Sequence, residues 1–458
     1  MSERSVAIVG AGPAGIYAAD ILSKSGLDAS IDLYEKLPAP YGLVRYGVAP
    51  DHPRIKQIIN ALFNILQRGD IRLIGNVNIG TDVSVDELRE HYDAVIFSTG
   101  SDKDAPIDIP GGDLPEVYGA ADFVYWYDGH PDYPRTWPLE AQQVAVLGVG
   151  NVALDVARIL AKHPDDLMST EISANVEEGL RKSPITDVHV FGRRGPAQAK
   201  FTPLELRELG HVPDVDVIVY EEDFDFDEGS EEAIRTTNQT KQVVKTLVDW
   251  TLKEPEDLTA SRRIHLHFLH APHEILGEDG HVVAIRTQRT ELTGDGTVRP
   301  TGEFVDTPVQ AVYRAIGYFS SAIPGVPFDP VRGVIPNVEG RVIDESSEPI
   351  PGVFATGWVK RGPVGLIGST KSDAQQTIGH LLADSESGVI GSGAPGGDAM
   401  IAELESRGVR YTTWQGWELL DSYERSLGEE RGRERLKVVE RETMTAVSRQ
   451  EEHDGTLY

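Results

Sequence analysis

The sequence predicts an α/β protein of two Rossmann-type nucleotide-binding domains with three-layer parallel sheets, the second inserted into a discontinuous first. An apolar strand runs into a glycine-rich turn near the N-terminus, the same pattern returns 138 residues later, and a further strand of this type follows once both patterns are complete. Turns so far apart belong to two separate nucleotide units, not to two halves of one site.

In the first pattern Val6-Ala7-Ile8-Val9 leads into Gly10-Ala11-Gly12-Pro13-Ala14-Gly15, and Ile16, Ala19, Ile21 and Leu22 continue at helical spacing. Glu35 closes the next apolar stretch, Ile31-Asp32-Leu33-Tyr34, 25 residues after Gly10. The glycines let backbone approach a diphosphate at a helix N-terminus, and an acid at the end of the second strand binds a ribose hydroxyl pair. A free 2′-hydroxyl is implied, and the first site reads as FAD.

In the second pattern Val144-Ala145-Val146-Leu147 leads into Gly148-Val149-Gly150-Asn151-Val152-Ala153, with Val156, Ile159 and Leu160 on the helix behind it. The following strand, Val188-His189-Val190-Phe191, ends in Gly192-Arg193-Arg194 instead of an acid. Two guanidiniums suit a 2′-phosphate, because Arg presents fork-shaped donors that match phosphate oxygens. The second site reads as NADP(H). The 45 residues between Gly148 and Arg193 exceed the usual ~20, so residues 163–186 are expected to form extra helix or loop.

Tyr92 to Gly100 reads as a buried strand ending in a small turn, and Val309 to Gly317 is its counterpart; each is expected to be the last parallel strand of its unit. Gly352-Val353-Phe354-Ala355-Thr356-Gly357-Trp358 then suggests a return to the first domain. The expected division is an FAD-binding domain from residues 1–103 and 321–458 around an NADP-binding domain at 104–320. Residues 385–398 are rich in Gly and Ser and read as a linker. Residues 399–445 have helical spacing, suited either to wrapping the FAD domain or to self-association.

At 458 residues the chain is long enough for two or three domains with ample cores. No apolar run approaches the ~20 residues that span a bilayer. Met1-Ser2-Glu3-Arg4 is followed at once by the first strand, without a signal-peptide pattern. No integral membrane association and a cytoplasmic location are expected. With no cysteine, the chain holds neither a redox-active dithiol nor a thiolate-bound iron–sulfur cluster, so electrons must leave for something outside it. A net charge of −30 argues against nucleic acid as a partner. An acidic protein partner would need a local basic patch, for which Arg181, Lys182, Lys200, Arg207, Arg235, Lys241 and Lys245 are candidates. Residues 221–228, Glu-Glu-Asp-Phe-Asp-Phe-Asp-Glu, read as a solvated acidic loop.

The run His265-Leu266-His267-Phe268-Leu269-His270-Ala271-Pro272-His273 places His265 and His267 on one strand face, without a carboxylate or Cys at ligand spacing. It reads as an exposed strand face, and no metal site is expected. Residues 41–53 form a loop punctuated by Gly and Pro just after Glu35, on course past a diphosphate toward the flavin. There His52 can exchange a proton near neutral pH, or brace the loop. Residues 358–368 have the makings of a second flavin-side turn.

These segments resemble the adrenodoxin-reductase-like family of NADPH:ferredoxin reductases, in particular its actinobacterial members. The resemblance is carried by GAGPAGIYAA, LYEKLPAPYGLVRYGVAPDHPRIK, GNVALDVARIL, FGRRGPAQAKFTPLELREL, GWVKRGPVGLIGSTKSDA and the C-terminal WELLDSYE, and covers most of the chain. It implies that Gly10, Gly12, Ala14 and Gly15 with Glu35 and Leu43 hold FAD, and that Trp358, Gly365, Leu366 and Ile367 complete the flavin site. For NADP(H) it implies Asn151, Val152 and Ala153 at the pyrophosphate, Arg193 and Arg194 at the 2′-phosphate, and Glu205 with Gly365 near the ribose or nicotinamide. It also implies that His52 lies near the flavin, that Glu208 helps handle the nicotinamide, and that Asp155 hydrogen-bonds the histidine. Two departures stand out. Ala105 replaces a basic residue that contacts NADP in some relatives, and Ala14 lacks a hydroxyl found there in others.

The implied activity is that of a ferredoxin–NADP(+) reductase, transferring hydride from NADPH to FAD and then single electrons to a ferredoxin-type iron–sulfur protein. The alternatives are the FAD/NADP module of a glutamate-synthase-like enzyme, an FAD/NADPH monooxygenase, and a redox-sensing protein that reports nucleotide occupancy.

Overall fold

The computed structural model describes residues 3–365 and 367–458. Its packing divides the chain into two compact units, Met1–Lys103 with Asp128–Tyr133 and Tyr318–Tyr458, and Asp104–Tyr127 with Pro134–Gly317.

In the first unit a seven-stranded sheet runs in the order Asn337–Val338, Arg341–Ile343, Pro349–Ala355, Ala94–Phe97, Arg4–Val9, Ala29–Tyr34, Arg72–Ile74. The last five of these are parallel. Strand alternation sends Val6 and Ile8 into one apolar cluster and Ala7 and Val9 into the other, so both faces are buried. Helices Pro13–Ser23 and Ile367–Glu386 supply Ile16, Leu22, Ala374 and Ile378 to the first cluster, and helices Val85–His91 and Gly397–Ser406 supply Leu88, Met400 and Leu404 to the second. Helix, sheet, helix is the three-layer arrangement. The late strand does return to this sheet, with Val353 opposite Val95, so the strand after Tyr92 is interior and not last.

The C-terminal residues wrap this unit. Trp414, Trp417, Leu420, Val438 and Met444 belong to its first apolar cluster.

The second unit has six parallel strands in the order Val117–Gly119, Ala311–Arg314, Gln143–Leu147, Asp187–Phe191, Arg262–His267, Val215–Val219. Helix Asn151–Ala161 packs on this sheet. A three-stranded antiparallel meander, His270–Glu278, His281–Leu292 and Val298–Pro308, covers apolar side chains of the same sheet, bringing Ile275, Val282 and Ile285 against Ala145, Leu147, Phe191 and Val312. One covering layer is therefore a meander. Residues 163–186 contain the short helix Pro164–Leu167 and helix Ala174–Lys182.

Three further sequence expectations need correcting. The second unit is not continuous from 104 to 320, because Asp128–Tyr133 and residues from Tyr318 pack with the first. The buried Asp128 carboxylate lies 3.6 Å from both Lys56 and Lys437, and His130 packs on Tyr46 at 5.0 Å; six residues carry too little hydrophobic pattern to mark such an excursion. The acidic loop is not merely solvated: Asp223 is buried, accepts the Phe268 N–H at 2.9 Å and pairs with Arg289, while Asp227 caps helix Glu228–Thr236 through Ser230 N–H.

The histidine face is not exposed either. His189 lies directly opposite His265 in the parallel register, and the two rings stack at 4.4 Å and 14°. Phe191 and Tyr220 sandwich His267 at 4.6 and 4.7 Å. Rings on two adjacent strands and at the end of a third thus cover one another, which single-strand periodicity cannot reveal. Among the described residues no helix is long and apolar enough to cross a membrane.

Candidate functional site

At the first glycine turn, Gly10 sits at φ 107, and a Cβ there would lie 2.7 Å from the Ser98 carbonyl oxygen. A Cβ on Gly15 would collide with the Gly10 carbonyl. These positions are closed to side chains, so the strand passes directly into the helix. Gly12 is the N-cap of helix Pro13–Ser23, with no side-chain cap, leaving its N-terminal amides available to an anion. Ala14 is buried where Gly357 approaches; a Cβ on Gly357 would stand 2.7 Å from that of Ala14.

Glu35 is buried at the end of its strand. One carboxylate oxygen accepts the Ala11 N–H at 2.9 Å and the other the Leu37 N–H at 3.2 Å. Burial raises its pKa, against the lowering effect of the backbone donors. Among the described residues it has no ion-pair partner, and each oxygen keeps acceptor capacity, as a ribose diol requires. The turn and the acid fit the dinucleotide read from the sequence.

The loop beyond Glu35 folds back onto this turn. Tyr41 donates its N–H to the Ala11 carbonyl, and a Cβ on Gly42 would be 3.1 Å from Gly12 Cα. Leu43 begins the short helix Leu43–Tyr46 and is half-buried. His52 is buried as the N-cap of helix Pro53–Lys56. On the C-terminal side, Gly357 at φ 75 caps helix Trp358–Arg361, and its N–H is accepted by Asp373, whose other oxygen takes the Lys360 ammonium at 2.9 Å. Trp358 lies half-buried against Tyr318, with ring centroids 6.4 Å apart. Gly365 is exposed at φ 89, and helix Ile367–Glu386 follows; Leu366 lies outside the described residues.

In the second unit Gly148 has φ 129, and a Cβ there would collide with the Ala315 carbonyl, while Gly150 opens onto empty space at the uncapped N-terminus of helix Asn151–Ala161. Asn151 accepts the Thr202 N–H at 2.8 Å; Val152 is half-buried and Ala153 fully buried. Arg193 is exposed and Arg194 half-buried, and among the described residues neither guanidinium is paired with a carboxylate. Unpaired guanidiniums at the strand end fit a 2′-phosphate. Asp155 accepts from Arg158 at 2.7 Å, and the same buried guanidinium lies 3.9 Å from Glu205. Glu205 and half-buried Glu208 are three residues apart on helix Pro203–Leu209, which places them on one face.

His189, His265 and His267 each bring a nitrogen within 4.8 Å of the others. Both nitrogens of His265 are engaged, by Tyr220 Oη at 2.8 Å and Asp187 at 2.9 Å, and His189 bonds His267 at 3.1 Å. Stacked rings direct their lone pairs in parallel planes, so a metal would have to break these bonds to find converging ligands.

Sequence reasoning missed Ser98, whose hydroxyl donates to the Val9 and Gly10 carbonyls, and Asp373, which holds the Gly357 turn. It also missed Glu424, which bonds Arg45 in bidentate fashion at 2.9 and 2.5 Å from the C-terminal helix Trp414–Glu429. The Ser98 and Arg45 pairs span 89 and 379 residues, beyond the reach of any local motif, while Asp373, 16 residues from Gly357, lies within GWVKRGPVGLIGSTKSDA, where nothing in the residue order marks it as the partner of the turn.

Residues 4–188 match the pyridine nucleotide-disulphide oxidoreductase family. The mitochondrial NADPH:adrenodoxin oxidoreductase of Arabidopsis thaliana is 39% identical, across 97% of this chain and 95% of the relative. The chain belongs to the family of NADPH:adrenodoxin and NADPH-ferredoxin reductases. Within this family, NADPH-ferredoxin reductase FprA of Mycobacterium tuberculosis strain H37Rv is 41% identical, across 95% of the chain and 96% of its own length. The structure of M. tuberculosis FprA in complex with NADPH superposes with a TM-score of 0.89 at 39% identity, covering 97% of this chain and 99% of that one.

Proposed function

We propose that the chain is an FAD-dependent ferredoxin–NADP(+) reductase, taking electrons from NADPH in pairs and passing them singly to a ferredoxin-type iron–sulfur protein. The observation that carries this reading is the contrast between two corresponding strand ends, a buried, unpaired Glu35 carboxylate in one unit and the unpaired Arg193 and Arg194 guanidiniums in the other. An acid accepts a ribose diol and repels a 2′-phosphate, whereas an arginine pair attracts the phosphate. Bound FAD supplies the conversion between a two-electron donor and a one-electron acceptor.

In this reading Met1–Lys103, Asp128–Tyr133 and Tyr318–Tyr458 form the FAD-binding domain and Asp104–Tyr127 with Pro134–Gly317 the NADP-binding domain, in a cytoplasmic protein. Gly10, Gly12, Ala14, Gly15 and Leu43 shape the diphosphate and flavin side, with Trp358, Gly365, Leu366 and Ile367. Asn151, Val152 and Ala153 present a helix N-terminus to the second pyrophosphate, and Glu205 binds near the nicotinamide ribose. His52 and Glu208 orient the nicotinamide and hold a titratable proton beside it, His52 on an imidazole nitrogen and Glu208 on a carboxylate oxygen. Asp155 is a positioning residue that acts through its hydrogen bonds. The absence of cysteine removes a resident dithiol or thiolate-bound cluster as a relay, so electrons leave the flavin for an acceptor outside the chain.

An anaerobic titration tests the proposal. The purified protein should be yellow with stoichiometric FAD, should bleach with NADPH, and should regain its colour on mixing with a ferredoxin. In a parallel aerobic assay, stoichiometric oxygen consumption without ferredoxin reduction would instead indicate a monooxygenase, and in the anaerobic titration flavin that NADPH leaves oxidised would indicate a nucleotide sensor.

A further inference from the structure

The Arg193–Arg194 turn is gripped from below by its own unit. Gly192 donates its N–H to the His267 carbonyl at 2.8 Å and accepts the His270 N–H at 3.0 Å, and the Arg194 carbonyl accepts the Leu269 N–H at 3.1 Å. The remaining carbonyl, that of Arg193, accepts the Thr290 hydroxyl at 2.8 Å. Thr290 N–H in turn donates to the Leu269 carbonyl at 2.9 Å, so one residue ties the turn to the segment that also holds it.

The position of Thr290 depends on an irregularity. Along His281–Leu292 the buried residues are Val282, Ile285 and Thr287, and simple alternation would next bury Arg289. The register with Val298–Pro308 shifts between Gln288 and Thr290, and Thr290 is buried in place of Arg289. Such a bulge re-aims one side chain while the strand continues. Leu269, on the other side of the turn, has φ 58, a conformation that non-glycine residues adopt only where surroundings impose it. The backbone beneath the arginine pair is therefore fixed at all three residues.

We propose that Thr290 is a positioning residue for nucleotide selection, its hydroxyl fixing the Arg193 carbonyl and with it the direction in which the two guanidiniums meet the 2′-phosphate of NADPH. This rests on the reading of the second glycine turn as an NADPH site, which the Arg193→Ala/Arg194→Ala double variant tests separately.

Thr290→Val preserves shape and deletes the hydroxyl. In the holoenzyme it should raise KM for NADPH about three- to tenfold, the effect of one hydrogen bond, and leave kcat with NADPH and KM for NADH unchanged. Inhibition by 2′-AMP, a fragment that carries the phosphate, should weaken by the same factor. Thr290→Ser should restore both, and Thr290→Ala should reproduce the loss if the valine variant fails to fold. An equal loss with NADPH and NADH would make Thr290 purely structural and overturn the proposal. So would an unchanged NADPH-to-NADH ratio in Thr290→Val and Thr290→Ala beside a double variant that loses its preference. If the double variant also keeps its preference, the site reading fails and the proposal with it.

Discussion

Tyr41 has φ 86, which is strained for a bulky side chain, and its surroundings show what holds it there. Its N–H is bonded to Ala11 and its ring meets Trp417 edge-on at 5.6 Å, so the residue is pinned between the first glycine turn and the C-terminal helix. Next to it Arg45 is bound by buried Glu424, and Lys437 donates to the Arg45 carbonyl at 2.7 Å. The loop that carries Leu43 and His52 is thus set by residues almost 400 positions away, and the C-terminal wrap has a positioning role at the proposed flavin site. Of the two titratable groups proposed for nicotinamide handling, Glu208 lies outside the unit with the first glycine turn, and His52, although in that unit, is neither part of the turn nor a partner of Glu35, so flavin retention should rest on neither. His52→Ala and Glu208→Ala should each slow flavin reduction by NADPH roughly tenfold, about 1.4 kcal/mol of barrier, and alter its pH profile, with FAD content unchanged. Stopped-flow reduction across a pH series is the measurement. Wild-type rates and profiles in both variants would leave the residues structural only.

At the scale of elements, the parallel strands and glycine turns were legible because each is written in contiguous residues: four apolar positions, a turn that forbids Cβ atoms, and a helix stripe behind it. The histidine stack was not. His189 and His265 are 76 residues apart and meet only because their strands pair in register, while His267 finds Phe191 across the same ladder and Tyr220 just beyond the strand on its other side. For the same reason the bulge that turns Thr290 inward, a property of the ladder with Val298–Pro308, left no mark in the sequence. The stack has a thermodynamic consequence. Burial, reinforced by neighbouring charges, pushes His189 and His270 down to about 4 and His267 lower still. In the unfolded chain these groups protonate near 6.5, so the folded state resists protons that the unfolded state accepts. Their stabilising contribution is full above about pH 6.5 and is lost as pH falls toward the folded values. Calorimetry at about pH 7.5 and about pH 5 should therefore show a lower Tm in acid, and His267→Phe, which keeps a ring between Phe191 and Tyr220, should lose less Tm over that interval than the wild type. Equal losses would mean that other groups govern acid unfolding.

For the molecule as a whole, the difficulty is electrostatic: a chain of net charge −30 must receive a partner of a class that is commonly acidic. Of the cations suggested by the sequence, Arg181 is paired with Asp165 and Glu177, and Lys182 with Glu178, which leaves little free charge on helix Ala174–Lys182. Arg235 on Glu228–Thr236 and Lys241 and Lys245 on Asn238–Thr251 occupy two successive helices that pack on each other. Lys241 and Lys245, four residues apart, share a face. Arg235 is paired with Glu232 and Lys245 with Asp249, but Arg235 and Lys245 are each 73% exposed, and surface pairs of this kind hold their partners by at most about 1 kcal/mol. An approaching carboxylate could therefore recruit these cations at small cost, and a docking role for them is testable by charge reversal. Replacing Arg235, Lys241 and Lys245 with Glu reverses that potential without touching either glycine turn. The triple variant should raise KM for ferredoxin about tenfold at low salt and flatten its salt dependence, because screening would then remove a repulsion where it had removed an attraction. NADPH oxidation with ferricyanide, a small acceptor that needs no protein docking surface, should keep its wild-type rate. Wild-type ferredoxin kinetics in the triple variant at low salt would move docking to another face of the molecule, while loss of both activities would show that the substitutions damaged the NADP-binding unit itself.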